Sequence, residues 1–224
     1  MRHLSRLSRF FRLQLLAILL PLASFGQQTR PKAGDSFTAG PVPDQVFARM
    51  QGKSYPKGCP VRRSELRYVR VLHVGFDGKV HHGELVCNKA IANDVAAVFR
   101  ELYARRYPIE RIRLIDDYGA SDEQSMRANN TSCFCYRAVK GSRKLSAHAR
   151  GMAIDINPLF NPCVRRHKGF VTIQPATAGR YADRKASFSH KITPADTAYR
   201  LFTARGFKWG GSWHSVKDYQ HFEK

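Results

Sequence analysis

Two short runs in this 224-residue chain bring together residue types that could do chemistry. The first is Ser146-Ala-His148-Ala-Arg-Gly151-Met-Ala-Ile-Asp155, and the second, at the C-terminus, is Asp218-Tyr-Gln-His221-Phe-Glu223. Two imidazoles and one carboxylate, His148, Asp155 and His221, are the ligand set of a catalytic zinc site: three protein ligands with a fourth position open to water. Nitrogen ligands with one carboxylate and hydrolytic chemistry favour zinc, although the residue types alone also admit manganese, cobalt or nickel. Asp218 stands three residues before His221, close enough to approach the metal without binding it. A carboxylate so placed can take a proton from water and later hand it to a leaving amine. Glu223 is the competing carboxylate, and its expected part is to orient a histidine ligand.

The elements that must position these groups follow from periodicity. His148 and Asp155 lie seven residues apart, so one helix face cannot present both, whereas a turn into a strand can. Gly151 between them permits a tight backbone path. Residues 151–157 alternate, with Ala153, Asp155 and Asn157 on one face and Met152, Ile154 and Ile156 on the other, which points Asp155 into a cleft while the isoleucines enter the core. Residues 66–76 and 79–87 read as a hairpin around Asp77-Gly78. Asn88 caps a helix over 91–105, with Ile91, Val95, Val98, Phe99 and Leu102 at helical spacing and Pro108 closing it. A short strand is predicted over 112–116 and a loop or short helix over 121–130. A second helix spans 194–205, with Thr193 as its cap and Gly206 as its stop, and residues 207–213 form a strand and turn leading to Asp218. The expected class is α+β: a small antiparallel sheet with segregated helices.

The pair Ser-x-His-x-x-Gly-x-Ala-x-Asp and terminal Asp-x-x-His-Phe-Glu resembles the D-alanyl-D-alanine carboxypeptidase and L-alanyl-D-glutamate endopeptidase family of zinc peptidases, which includes the vancomycin-resistance dipeptidases and phage endolysin peptidases. The likeness extends upstream through Asp116-Asp-Tyr-Gly-Ala-Ser-Asp122 and the run from Ser125 to Arg137, so it covers residues 95–224 and is weaker before them. The resemblance implies a hedgehog/DD-peptidase-like fold, one zinc ion per chain and a substrate among peptidoglycan stem peptides. Arg137, ending the Asn129-Asn-Thr-Ser-Cys-Phe-Cys-Tyr-Arg137 run, is the candidate for stabilising an oxyanion, with Arg127 as the alternate. By resemblance, Arg137 would also contact a substrate carboxylate. Ser146 and Asn129 are candidate peptide-binding residues. Trp209 and Trp213 flank the Gly210-Gly211 turn and are candidates for the cleft wall, with a core role open for either. His81 and His82 diverge on a strand, and His167, His190 and His214 lack partners at informative spacing.

Composition supplies an address. Arg2, Arg6, Arg9 and Arg12 precede an apolar stretch over 13–23 that is too short to span a bilayer, which reads as a signal peptide over 1–26, with an uncleaved anchor helix as the alternative. Residues 27–44 read as a flexible leader, and 45–224 as one domain. The formal charge of +21 becomes +17 on removal of the signal, an excess that favours polyanions. For an exported chain, periplasmic or extracellular, those are anionic envelope polymers or lipids. Nucleic acid is disfavoured because no recognition motif accompanies the charge. Five cysteines in an oxidising compartment predict one or two disulfides and at least one free thiol. Cys133 and Cys135 lack a second cluster that would complete a metal site. Monomeric, exported, zinc-dependent hydrolysis of an amide bond in peptidoglycan stem peptides is the leading expectation. A non-catalytic zinc-containing envelope-binding module and an effector aimed at a competitor's wall are its rivals. Whether an endopeptidase or a carboxypeptidase is at work stays open, as does the part played by the basic segment 164–191.

Overall fold

The computed structural model describes residues 36–139 and 144–224. The expected signal peptide lies outside the described residues, as does half of the leader. Where the leader is described it is already folded: β1 (Thr38–Pro41) pairs antiparallel with residues 67–70, and Phe37 is buried. The Phe37 ring, inside the segment expected as leader, packs against Tyr103 of the first long helix. Next comes α1 (Asp44–Met50), which buries Val46 and Met50.

The hairpin predicted around Asp77-Gly78 is the first large element. Strands β2 (Leu66–Val74) and β3 (Val80–Asn88) pair from Leu66↔Asn88 to Val74↔Val80. The helix predicted after Asn88 is α2 (Ala92–Ala104), but its N-cap is Ile91, without a side-chain cap bond; the Asn88 side chain, expected as the cap, accepts instead from Ala90 N at 3.0 Å, ahead of the helix. Its Val95, Val98, Phe99 and Leu102 are buried, each stabilising the fold by about 1.5–3 kcal/mol.

The strand expected over 112–116 is shorter than predicted. Only β4 (Arg111–Ile112) forms, and the chain then enters a 3-10 turn, Ile115–Tyr118. Asp116 explains the change: its buried carboxylate accepts from Ser54 N and Ser54 Oγ, both at 3.0 Å, which draws the chain out of strand geometry. There follow α3 (Asp122–Arg127), capped by Ser121, and β5 (Asn130–Thr131), parallel to β4.

The C-terminal half carries β6 (Ala153–Asp155), β7 (Cys163–His167), β8 (Phe170–Gln174), α4 (Gly179–Ala182), α5 (Thr197–Thr203), β9 (Lys208–Trp209), β10 (Val216–Asp218) and β11 (His221–Glu223). They form two antiparallel sheets, ordered β10-β7-β8 and β6-β11-β9. The fold is thus α+β, as expected, but among the described residues it has three small antiparallel sheets rather than one. The second helix starts later than predicted, and its cap is Asp196 rather than Thr193. Asp196 Oδ1 accepts from Ala198 N at 2.7 Å and from Tyr107 Oη at 3.2 Å, whereas Thr193 Oγ1 serves only Ala195 N.

One core joins the two halves: Val69, Leu85, Val95 and Phe99 pack in the same cluster as Ile154, Ile156, Phe202 and Phe222. The basic segment 164–191 is anchored from within. Arg184 donates to Phe160 O, Ile192 O and Asn161 Oδ1 and lies over the Tyr219 ring, 4.3 Å from guanidinium carbon to ring centroid.

All five cysteines are unbridged, against the expectation of one or two disulfides. Cys133 meets Gly151 O and Cys135 meets Ala120 O, so the C-x-C pair points to two different places. Among the described residues, no helix is long and apolar enough to cross a membrane.

Candidate active site

The turn that carries His148 is fixed at both ends. Ser146 Oγ accepts from His148 N, starting the 3-10 turn Ala147–Arg150, and Gly151 closes it in the left-handed region at φ +68°. A Cβ on Gly151 would come within 2.7 Å of Asn88 N, the group that donates to Gly151 O at 2.8 Å. Only glycine fits here, and the turn is thereby tied to the end of β3. His148 Nδ1 lies 2.6 Å from Cys133 O. A carbonyl only accepts, so Nδ1 carries a proton, and Nε2 is the nitrogen turned toward Asp155 and His221.

Asp155 and His221 are register partners in the β6–β11 ladder. The three predicted ligands converge: His148 Nε2 to His221 Nδ1 is 3.1 Å, His221 Nδ1 to Asp155 Oδ1 is 3.1 Å, and His148 Nε2 to Asp155 Oδ1 is 3.3 Å. A tetrahedral ion about 2.0–2.2 Å from each donor holds ligand atoms about 3.3–3.5 Å apart. The donor set therefore fits a small divalent cation with little adjustment.

Electrostatics agree with the geometry. Burial works against ionisation of Asp155, but His148 and His221 override it and hold the carboxyl far below the usual range. Burial would lower the affinity of His221 for its proton, yet hydrogen bonds to Asp155 and Glu223 push it up to about 10. His221 Nε2 lies 3.2 Å from Glu223 Oε2, the place expected for an orienting carboxylate.

These groups line a cavity of about 670 Å³, within the range of ligand pockets. Asp218 lines it too, from β10. Burial pushes its carboxyl above the ordinary range, His221 pulls the other way, and Asp155 adds to the rise. Its Oδ1 is buried without a hydrogen-bond partner among the described residues, the condition of an acceptor awaiting a donor from the cavity. Gly210 makes this approach possible: a Cβ there would sit 2.7 Å from Asp218 O and 3.2 Å from His221 Cβ.

The remaining candidates separate. Trp213 lines the cavity with its ring 5.2 Å from that of His221, while Trp209 is buried and donates to Tyr219 O. Arg137 lines the cavity, with its Nε in an ion pair with Asp122. Ser146 lines it as well, although its hydroxyl serves His148 N. Asn129 is away from it: its side chain is consumed by Glu110 Oε2 at 2.8 Å and Leu159 N at 3.0 Å, which stabilises its own positive φ. Arg127 is exposed and does not line the cavity. Sequence reasoning missed Cys163, Arg165 and Gln174, which the β7–β8 hairpin brings into the wall. The alternation of β7 was a usable signal, but only with its pairing to β10 in hand.

Two imidazoles and a carboxylate beside a fourth, raised-pKa acid form a donor set suited to metal-assisted hydrolysis. Residues 140–224 match the family model described as D-alanyl-D-alanine carboxypeptidase. That segment holds His148, Asp155, Asp218, His221 and Glu223, so the part of the chain with the site is similar to a family of peptidases, as its two motifs anticipated. No curated protein and no solved structure matches the chain.

Proposed function

We propose that this protein is an exported zinc-dependent peptidase that hydrolyses an amide bond in peptidoglycan stem peptides. The observation that carries the reading is the convergence of His148 Nε2, Asp155 Oδ1 and His221 Nδ1 at 3.1–3.3 Å beside Asp218. The match of residues 140–224 to a D-alanyl-D-alanine carboxypeptidase family supports the substrate class.

His148, Asp155 and His221 would hold the ion, which when bound supplies a Lewis acid and an acidified water. Asp218 takes the proton at its unpartnered Oδ1 and returns it to the leaving amine. Burial suits it to both tasks, since a carboxyl with a raised pKa is a stronger base and a ready donor. Arg137, held by Asp122, keeps further N–H donors for the oxyanion. Trp213 walls the cavity, and Ser146 acts through the His148 turn. The Cys133 carbonyl and the Glu223 carboxylate keep the two imidazoles in orientation. The excess positive charge draws the enzyme toward anionic envelope polymers.

Digestion of defined muropeptides, with and without chelator and read by mass, tests the reading. Chelator-sensitive release of a fragment at a stem-peptide amide is expected. Bound metal with no cleavage of any muropeptide would instead identify a non-catalytic envelope-binding module.

A further inference from the structure

The sheet that carries Asp218 has a second charged feature on the same face. Residues opposite each other in an antiparallel ladder share a face, and alternate residues along a strand do too. Asp218 stands opposite Cys163, and Cys163 opposite Gln174. The next row on that face is Val216, Arg165 and Thr172. Arg165 lines the cavity with Asp218 and Cys163, one row out, about 7 Å along the strand. Its neighbour Arg166 pairs with Val171 on the opposite face, is exposed and does not line the cavity.

The charges of the cavity decide what Arg165 is for. His148 and His221 share Asp155, His221 also meets Glu223, and Arg137 is paired with Asp122. Arg165 is half-buried and has neither a hydrogen-bond nor an ion-pair partner among the described residues. An unpaired guanidinium on a cavity wall presents a fork of donors matched to a carboxylate.

We propose that Arg165 receives a carboxylate of the substrate, within about two peptide residues of the bond beside Asp218, at the ~3.3–3.6 Å that each extended residue spans. This inference rests on the peptidase reading and divides two tasks between two arginines: Arg137 serves the oxyanion, and Arg165, from the basic hairpin, selects an acidic peptide.

The probe is the pentapeptide L-Ala-γ-D-Glu-L-Lys-D-Ala-D-Ala, prepared with both carboxyl groups free, with either one amidated, and with both amidated. Zinc-loaded wild type is compared with Arg165→Ala, Arg165→Lys and Arg166→Ala. Arg165→Ala is expected to lower kcat/KM about 10–100-fold on the forms that keep one particular carboxylate and to leave the form lacking it within about twofold, the pattern of a lost charge-assisted pair. Arg165→Lys recovers part of the loss, and Arg166→Ala tracks wild type. Unchanged discrimination between acid and amide in Arg165→Ala overturns the proposal, as does an equal loss in Arg166→Ala, which would point to net charge alone. A second arm titrates the same peptides into the metal-free proteins by calorimetry. At least tenfold weaker binding of the diacid to Arg165→Ala than to Arg166→Ala is expected, and equal affinities overturn the proposal. This arm reads Arg165 even where no peptide is cut, an outcome that counts against the peptidase reading instead.

Discussion

Asp155 and His221 face each other across the β6–β11 ladder, and the ladder alone brings Oδ1 and Nδ1 to 3.1 Å. Strand register rather than loop packing therefore sets the separation of two of the three candidate ligands. A site held this way is preorganised before any ion arrives.

The proposed role of Asp218 is to carry protons, not to serve as a ligand. Asp218→Ala is expected to retain about one zinc per chain while hydrolysis falls by about 10²–10⁴-fold or more, the range of a lost general acid–base. Elemental analysis and turnover on the same preparation check this. Loss of zinc in that variant would move Asp218 into the ligand set.

His148→Ala and His221→Ala are each expected to lose metal and activity together. In the metal-free wild type, the raised pKa of His221 makes a signed prediction. Its contribution to stability is fully present below about 6.5, the unfolded value, and is lost as pH climbs toward about 10. Asp155 contributes in the opposite sense: its depressed carboxyl stabilises above about pH 4 and loses that contribution as pH falls. Melting temperature after chelation should thus decline between pH 6.5 and 10, and His221→Ala should flatten that slope. Zinc affinity should rise over the same interval, because a ligand imidazole must shed its proton. A melting curve indifferent to pH in the chelated wild type would contradict the assignment.

Glu223 meets the candidate metal centre through His221 Nε2. Glu223→Gln is expected to weaken zinc about 10–100-fold without abolishing binding. Competition against a chelator of known affinity measures it, and unaltered affinity would leave Glu223 without this task.

Gly151 has no substitute. Gly151→Ala places a Cβ 2.7 Å from Asn88 N at φ +68° and is expected to cost about 1–3 kcal/mol, with partial loss of zinc. Denaturant melts and metal content report the two effects separately.

The convergence of His148, Asp155 and His221 was legible because its chemistry is local: each motif sets its own turn or strand, and antiparallel pairing brings the two together. The hairpin at Asp77-Gly78 and the helix after Asn88 were legible from turn chemistry and periodicity for the same reason. What stayed hidden depends on distant partners. Asn129 read as a peptide binder, yet Glu110 and Leu159, from either side along the chain, use up its amide. Asp116 left strand geometry for Ser54, which lies 62 positions earlier. Arg165 reached the cavity through a ladder with Val216, 51 positions later, that no periodicity announces.

The hydrogen bond from Asn88 to Gly151 reaches from the hairpin into the segment that resembles known peptidases. That segment is consequently no autonomous cassette. Excised at residue 140, it would forfeit the Asn88 tether on its histidine turn, the Cys133 carbonyl behind His148, and the aliphatic wall of Val69, Leu85 and Val95 beneath Ile154 and Ile156. Whatever transplants this centre into another scaffold has to carry the upstream strands along.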